Sequence, residues 1–418
     1  MTLSTTHRAT MLDLEAEALL DPTITFTAAP SGGALTTEPP QRVFLTGATG
    51  FVGAFLLDEL LRTTEAEVFC LIRADHPEGA RRRLACHLQS YGLWQEAFSE
   101  RIEPVVGDLT RPLLGLTEEA FCRLGSLLDV IYHSAGSTNA IYPYARLKAT
   151  NVLGTQEVLR LASAGATTPV HYLSTLAVLF GDAHVGVDRL YESTVAPYDP
   201  SLKGGYAQSK WVADRLVVSA HERGLQASIY RCVRVMGHSQ TGTMNEMHDI
   251  LPLVLKACVQ MGKCPALDVD VTMAPVDYVS RAVVHLSRQT RSHGRAFHLL
   301  TPRAMAWREL MATIRSFGYP LEELPYHEWR HEIRLHASQS ADRQFYMGLL
   351  MVLQAPHYLF YPRPPMDTQH TQAGLADTDI TCPQAEPLLI GRYIEYWQQV
   401  GYFPRPPAGD NQDVRAAS

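Results

Sequence analysis

Between Val43 and Gly53 an apolar strand pattern runs straight into three glycines spaced three apart, and then into a helical pattern: Leu45-Thr-Gly-Ala-Thr-Gly-Phe-Val-Gly53. This junction restricts the fold more than any other feature of the chain. Glycines at 47, 50 and 53 let the backbone turn tightly, approach a pyrophosphate and pack the helix on a sheet. The helix start then offers free N–H groups to phosphate. The spacing is G-x-x-G-x-x-G rather than the G-x-G-x-x-G dinucleotide fingerprint, so the strand–turn–helix setting carries the reading. A purely structural glycine turn is the alternative.

A β-α alternation begins at Arg42. Strand-like runs lie at Val43–Thr46, Val68–Ile72, Glu103–Val106, Val130–His133, Val170–Ser174 and Ser228–Arg231, with helical patterns at Ala54–Arg62, Asn151–Ala164 and Ala207–Arg223 between them. That order predicts an α/β fold, a Rossmann-type doubly wound parallel sheet covered on both faces. We assign residues 41–302 to it, with part of a substrate site at 238–270, because the alternation breaks down from about residue 240. Residues 303–405 read as a smaller, mainly helical C-terminal subdomain that binds substrate. Residues 1–40 read as a linker with a short helix around Leu12, Ala16 and Leu19, and 406–418 as a disordered tail.

Composition narrows the partners. Against 36 basic residues stand 43 acidic ones, a net charge of −7, which disfavours nucleic acid. Seven cysteines without C-x-x-C pairs argue against a disulfide framework or a structural zinc site. The start lacks a signal-peptide pattern. The apolar stretch Met347–Tyr361, broken by Gln354, Pro356 and His357, falls short of the ~20 residues a membrane span needs. A cytoplasmic monomer away from the membrane is expected.

The second strand bears on which dinucleotide binds. An NAD site usually ends it with an acid for the ribose 2′-hydroxyl; here it ends in Arg73, with Arg83 ten residues on. Arginine in place of the acid favours NADP(H); two ordinary surface arginines are the alternative. Reduction of a carbonyl beside a nicotinamide also needs a proton donor. A Tyr and a Lys four apart share one helix face, and the ammonium lowers the phenol pKa. Two such pairs occur, Tyr144/Lys148 and Tyr206/Lys210. Tyr206 opens a helix after Gly204-Gly205 and follows a strand ending in Ser174-Thr175, so hydroxyls, phenol and ammonium meet at one sheet edge. Tyr144 lies in a Pro-containing loop, where it lines the substrate entrance or packs. His327-Glu-Trp-Arg-His331 matches H-E-x-x-H, but lacks the extended metzincin continuation. We read it as an exposed polar helix beside a packed Trp329 and expect no metal.

Taken together, LTGATGFVG, Arg73, Arg83, Gly107-Asp108-Leu109, STLAV, GGYAQSKWVAD and APVDYVSRAVVHLS resemble the thioester reductase domains of the extended short-chain dehydrogenase group. These end nonribosomal peptide and polyketide synthetases and carboxylic acid reductases. The resemblance spans about residues 40–405, and the segment from Leu12 to Ile24 is similar to the linker that follows a carrier protein in that family. It implies NADPH-dependent reduction of an acyl or peptidyl thioester, held by a carrier's 4′-phosphopantetheine, to an aldehyde. A second reduction in the same site would give a primary alcohol.

It also implies roles. Gly47 and Thr49-Gly50-Phe51-Val52 would meet the pyrophosphate, Arg73 and Arg83 the 2′-phosphate, and Asp108 and Leu109 the adenine. Ser134-Ala135-Gly136 would run beneath the cofactor, and Val233 would approach the nicotinamide. Thr175, with Ser174 beside it, would polarise the carbonyl, Tyr206 would donate the proton, and Lys210 would hold the ribose. The chain departs from the family at His133-Ser-Ala-Gly136, usually His-Asn-Gly-Ala. It departs again at Arg231-Cys-Val233, which leaves the depth of reduction open. Arg330 and Arg334 are a candidate basic docking face for a carrier, with a solvated helix face as the alternative. Rival readings are a short-chain dehydrogenase acting on a sugar nucleotide or sterol, and a redox-inert cyclisation or sensor domain.

Overall fold

The computed structural model describes residues 13–27, 40–184, 186–193, 195, 198–245, 249–340, 342–354 and 364–406. The tail expected at 406–418 therefore lies almost wholly outside the described residues, as does Leu12. Seven strands form one parallel sheet: β1 (Arg42–Thr46), β2 (Glu67–Ile72), β3 (Ile102–Val106), β4 (Val130–His133), β5 (Val170–Thr175), β6 (Ala227–Cys232) and β7 (Ala296–Leu299). Their order is β7-β6-β5-β4-β1-β2-β3. The direction of winding reverses between β1 and β4, the switch point where α/β sheets bind ligands beyond the carboxyl ends of their strands.

The expected α/β fold is the one observed, with one addition. β7 was not anticipated: it is short and lies far from β6 in sequence, after the helices Ile250–Met261 and Val276–Ser287. Val233 N donates to Leu299 O (3.2 Å), carrying the pairing past the end of β6.

Both sheet faces are buried, which is why the strands read as apolar runs rather than alternations. One face packs against helices Gly154–Ala162 and Gly205–Glu222, the other against Phe51–Thr63, Pro77–Ser90 and Val276–Ser287. A third core joins Met236, Leu251, Leu255 and Val271 to Trp307, Trp329, Tyr393 and Trp397. The C-terminal part thus shares its core with residues 236–271. The fully buried Glu192 carboxylate ties the parts together, accepting from His298 N (2.8 Å), His370 N and Thr371 Oγ1 (2.5 Å).

The N-terminal segment is not a free tether over residues 13–27. Asp13 caps a short helix, Leu14–Glu17, by accepting from Glu15 N and Ala16 N. Leu14, Leu20 and Ile24 are buried in the sheet domain's core. Full burial of each such side chain contributes about 1.5–3 kcal/mol. No described helix is long and apolar enough to cross a membrane.

Candidate active site

The glycine turn is shaped by close backbone approach. Gly47 has φ +85°, and a Cβ there would lie 2.7 Å from Ala135 N. A Cβ on Gly53 would lie 2.0 Å from Gly47 O, so only glycine lets the helix Phe51–Thr63 start this close to the turn. Gly50 N donates to Gly47 O (2.8 Å), and no side chain caps the helix at Gly50. Its first-turn N–H groups lack intrahelical acceptors and remain available to an anion. Thr49 and Val52 are half-buried and Gly50 is exposed at this turn. Phe51 turns aside to pack on Phe55 and Tyr91, at ring separations of 5.4 and 5.5 Å.

Next to the turn, Thr46 Oγ1 accepts from Ala135 N (3.1 Å), and Ser134 N donates to Thr46 O (3.3 Å). Ser134-Ala135-Gly136 is thereby seated against Gly47. Asn151 continues the line: Oδ1 accepts from Ser137 N (2.7 Å), while Nδ2 donates to Ser137 O (3.0 Å) and Ser209 Oγ (2.9 Å). It sits in a π-helical turn, Ala149–Leu153, a distortion frequent at functional sites.

Arg73 and Arg83 come together beyond β2. Both are exposed, and Arg83 Nη1 donates to Arg73 O (2.7 Å). Asp108 lies within electrostatic reach of Arg73. Burial pushes its carboxyl up, but hydrogen bonds from Thr110 N and Oγ1, with the Arg73 and Arg111 charges, leave it below its usual value. Leu109 is buried against Gly154.

Thr175 ends β5, half-buried, its Oγ1 accepting from Ala177 N (3.2 Å). Tyr206, also half-buried, lies in the first turn of Gly205–Glu222. One turn on, Lys210 is buried, with Nζ donating to Leu173 O (2.7 Å) and 4.2 Å from the Tyr172 ring centroid. Burial pushes Lys210 down to about 7, against the Asp214 carboxylate, which pulls it up.

Asp214 extends the 206, 210 series by four, a spacing visible in the sequence whose meaning is not. It accepts from Ser174 Oγ (2.7 Å) and from Arg231 Nε (3.1 Å) and Nη2 (2.9 Å). Both members of this ion pair are 1% exposed. Burial raises Asp214, but the Arg231 guanidinium, the Ser174 hydroxyl and the Lys210 ammonium outweigh it and hold the carboxyl low. The Ser174 hydroxyl is thus buried and committed to Asp214.

The other Tyr/Lys pair is differently placed. Tyr144 opens a short helix, Tyr144–Lys148, rather than lying in a loop. Its phenol donates to Glu17 Oε2 (3.0 Å), and Lys148 Nζ pairs with the same oxygen (2.6 Å). Burial and the Glu17 carboxylate push the Tyr144 phenol far above its ordinary value. Such a phenol is a poor proton donor.

His327 and His331 are exposed on the helix Tyr326–Gln339, and Trp329 is fully buried, donating from Nε1 to Lys263 O (3.1 Å). Among the described residues no three His, Cys, Asp or Glu side chains gather as a metal set. Arg330 packs its guanidinium over the Tyr326 ring (5.9 Å), while Arg334 is exposed.

A glycine cradle thus lies at the switch point of a seven-stranded parallel sheet, where α/β folds bind dinucleotides, with Thr175, Tyr206 and Lys210 at the carboxyl edge of the same sheet. The chain belongs to the NAD-binding family described as "Male sterility protein", which matches residues 45–283. It is similar to the terminal R domain from the myxalamid PKS-NRPS biosynthetic pathway: 41% identity, a TM-score of 0.87, and coverage of 94% of this chain and 99% of that one. It is also 37% identical over 361 residues to a linear gramicidin synthase polypeptide from Brevibacillus parabrevis, covering 86% of this chain and 7% of that protein. The L-2-aminoadipate reductase large subunit of Eremothecium gossypii is 33% identical over 409 residues, covering 91% and 29%. The family resemblance read from the motifs is borne out by these matches. The chain spans less than a third of the length of either curated relative.

Proposed function

We propose that this protein uses NADPH to reduce a carrier-bound acyl or peptidyl thioester, releasing an aldehyde. The observation that carries the reading is the placing of Thr175, Tyr206 and Lys210 at one sheet edge, next to a cradle in which any Cβ at Gly47 would strike the backbone. The turn Gly47–Val52 and the Ser134–Gly136 segment would hold the pyrophosphate and the underside of the dinucleotide. Asp108 and Leu109 would flank the adenine, and Val233 the nicotinamide.

When bound, NADPH supplies a hydride to the thioester carbon. Thr175 and Tyr206 donate hydrogen bonds to the carbonyl oxygen, where negative charge develops, as an oxyanion hole does. Tyr206 delivers its proton there, giving a hemithioacetal. That adduct collapses to aldehyde and free pantetheine thiol. Lys210, whose burial penalty is offset by the Asp214 carboxylate, holds the ribose and in its ammonium form eases proton loss from Tyr206. The thioester is already activated, so no ATP is required. Cys232 is buried and its thiol is pushed up to about 12, which suits packing rather than nucleophilic attack.

The arginine pair supports the cofactor choice. Each charge-assisted bond to a 2′-phosphate is worth about 1.5–3 kcal/mol. Arg73→Ala should therefore raise KM for NADPH far more than for NADH. Equal effects on both would remove the basis for preferring NADPH.

For the partner we propose a carrier protein whose pantetheine arm enters between the sheet edge and the C-terminal subdomain, with the exposed Arg334 on the docking side. Tethering raises effective concentration. With the acyl chain fixed, kcat/KM should be higher on the carrier-bound thioester than on the coenzyme A thioester. Equal efficiency would mean that pantetheine and acyl chain alone are read.

A further inference from the structure

The Tyr144/Lys148 pair is occupied by Glu17, from the N-terminal strap of residues 13–27. Glu17 takes both the Tyr144 phenol (3.0 Å) and the Lys148 ammonium (2.6 Å). The backbone beside Tyr144 is in turn the seat of that helix. A Cβ on Gly205 would lie 2.4 Å from both Tyr142 O and Tyr144 N, so the chain immediately before Tyr206 rests directly on this segment.

The same strap grips the helix's far end. Arg223, the C-cap of Gly205–Glu222, donates to Leu20 O (2.8 Å), Asp21 O (2.8 Å) and Ile24 O (3.2 Å). Asp21 is fixed laterally by Arg160 (2.7 Å). Leu14, Leu20 and Ile24 are at most 4% exposed along the way. The strap therefore meets the helix at both termini, with Glu17 at the end where Tyr206 lies.

We propose that residues 13–27 are a brace for this helix and that Glu17 is a positioning residue, holding through Tyr144 and Lys148 the segment that seats Gly205 and so the Tyr206 phenol. The part of this that concerns catalysis rests on the role given to Tyr206 above. A strap that only adds buried surface would behave differently: loosening it anywhere would lower stability and leave turnover alone.

The test compares Glu17→Ala, Glu17→Gln and Arg160→Ala in the full chain, well below their melting temperatures. Turnover is read with NADPH and an acyl-coenzyme A, and backbone hydrogen exchange is read over residues 206–210. Glu17→Ala should lower kcat by about tenfold, since small misplacements of reacting groups are costly, with KM for NADPH little changed and with faster exchange at these amides. Glu17→Gln, which keeps an acceptor for Tyr144, should recover most of kcat. Arg160→Ala, which loosens the strap away from Tyr144, should lower Tm while kcat stays near wild type. Unchanged kcat and exchange in Glu17→Ala, or equal losses of kcat in Glu17→Ala and Arg160→Ala, would overturn the brace. Should the wild-type protein reduce no thioester, the proposed reaction fails by itself. The exchange data then still decide on the brace: faster exchange in Glu17→Ala alone upholds it, and no change dismisses it.

Discussion

Tyr206→Phe should lower kcat by about 10²–10⁴-fold, the usual contribution of a positioned proton donor, while NADPH binding stays close to wild type. The ring can still pack, so the loss is confined to the phenol oxygen. Tyr144→Phe removes a hydrogen bond to Glu17 and should cost no more than about tenfold, the scale of a small positioning error. Steady-state kinetics with cofactor binding followed by nicotinamide fluorescence would check both. A crippled Tyr144→Phe beside an active Tyr206→Phe would reverse the choice between the two pairs.

The largest stability effect is expected at the buried ion pair. Arg231→Met leaves the Asp214 carboxylate without its guanidinium in a site that is 1% exposed. Stranding a buried charge in this way costs about 3–5 kcal/mol, visible as a lower urea midpoint. Arg231→Met combined with Asp214→Leu should recover much of that loss, because a well-packed apolar pair can replace a buried ionic one. It should not recover turnover, since Lys210 then lacks the carboxylate that offsets its burial. A double variant as unstable as Arg231→Met alone would show that the pair's geometry, not its stranded charge, sets the cost.

Local patterns carried most of the fold. Six of the seven strands sit within two residues of their apolar runs, because a sheet buried on both faces leaves continuous apolar segments. The glycine turn and Tyr206/Lys210 were legible because each is a short-range device: a backbone turn and an i, i+4 pair. β7 escaped because Ala296–Leu299 is four residues long and its partner is more than sixty residues away. The Asp214–Arg231 pair escaped because one member is on a helix and the other on a strand, at positions where apolar patterning expects no charge. The strap's anchors, Leu14, Leu20 and Ile24, follow no single helical or strand period. Nothing around Tyr144 indicates that Glu17, 127 residues earlier, takes its phenol.

Reductive cleavage of a thioester is tested by following all the products of one reaction. The protein would be mixed with NADPH and an acyl thioester of pantetheine, with nicotinamide absorbance, free thiol and carbonyl product read together. Thiol should appear in step with aldehyde and with NADPH oxidation, and any alcohol formed should consume a second NADPH. Thiol released without NADPH oxidation, as in a redox-inert cyclisation, or no thiol released while NADPH is spent on another carbonyl, would contradict reductive cleavage.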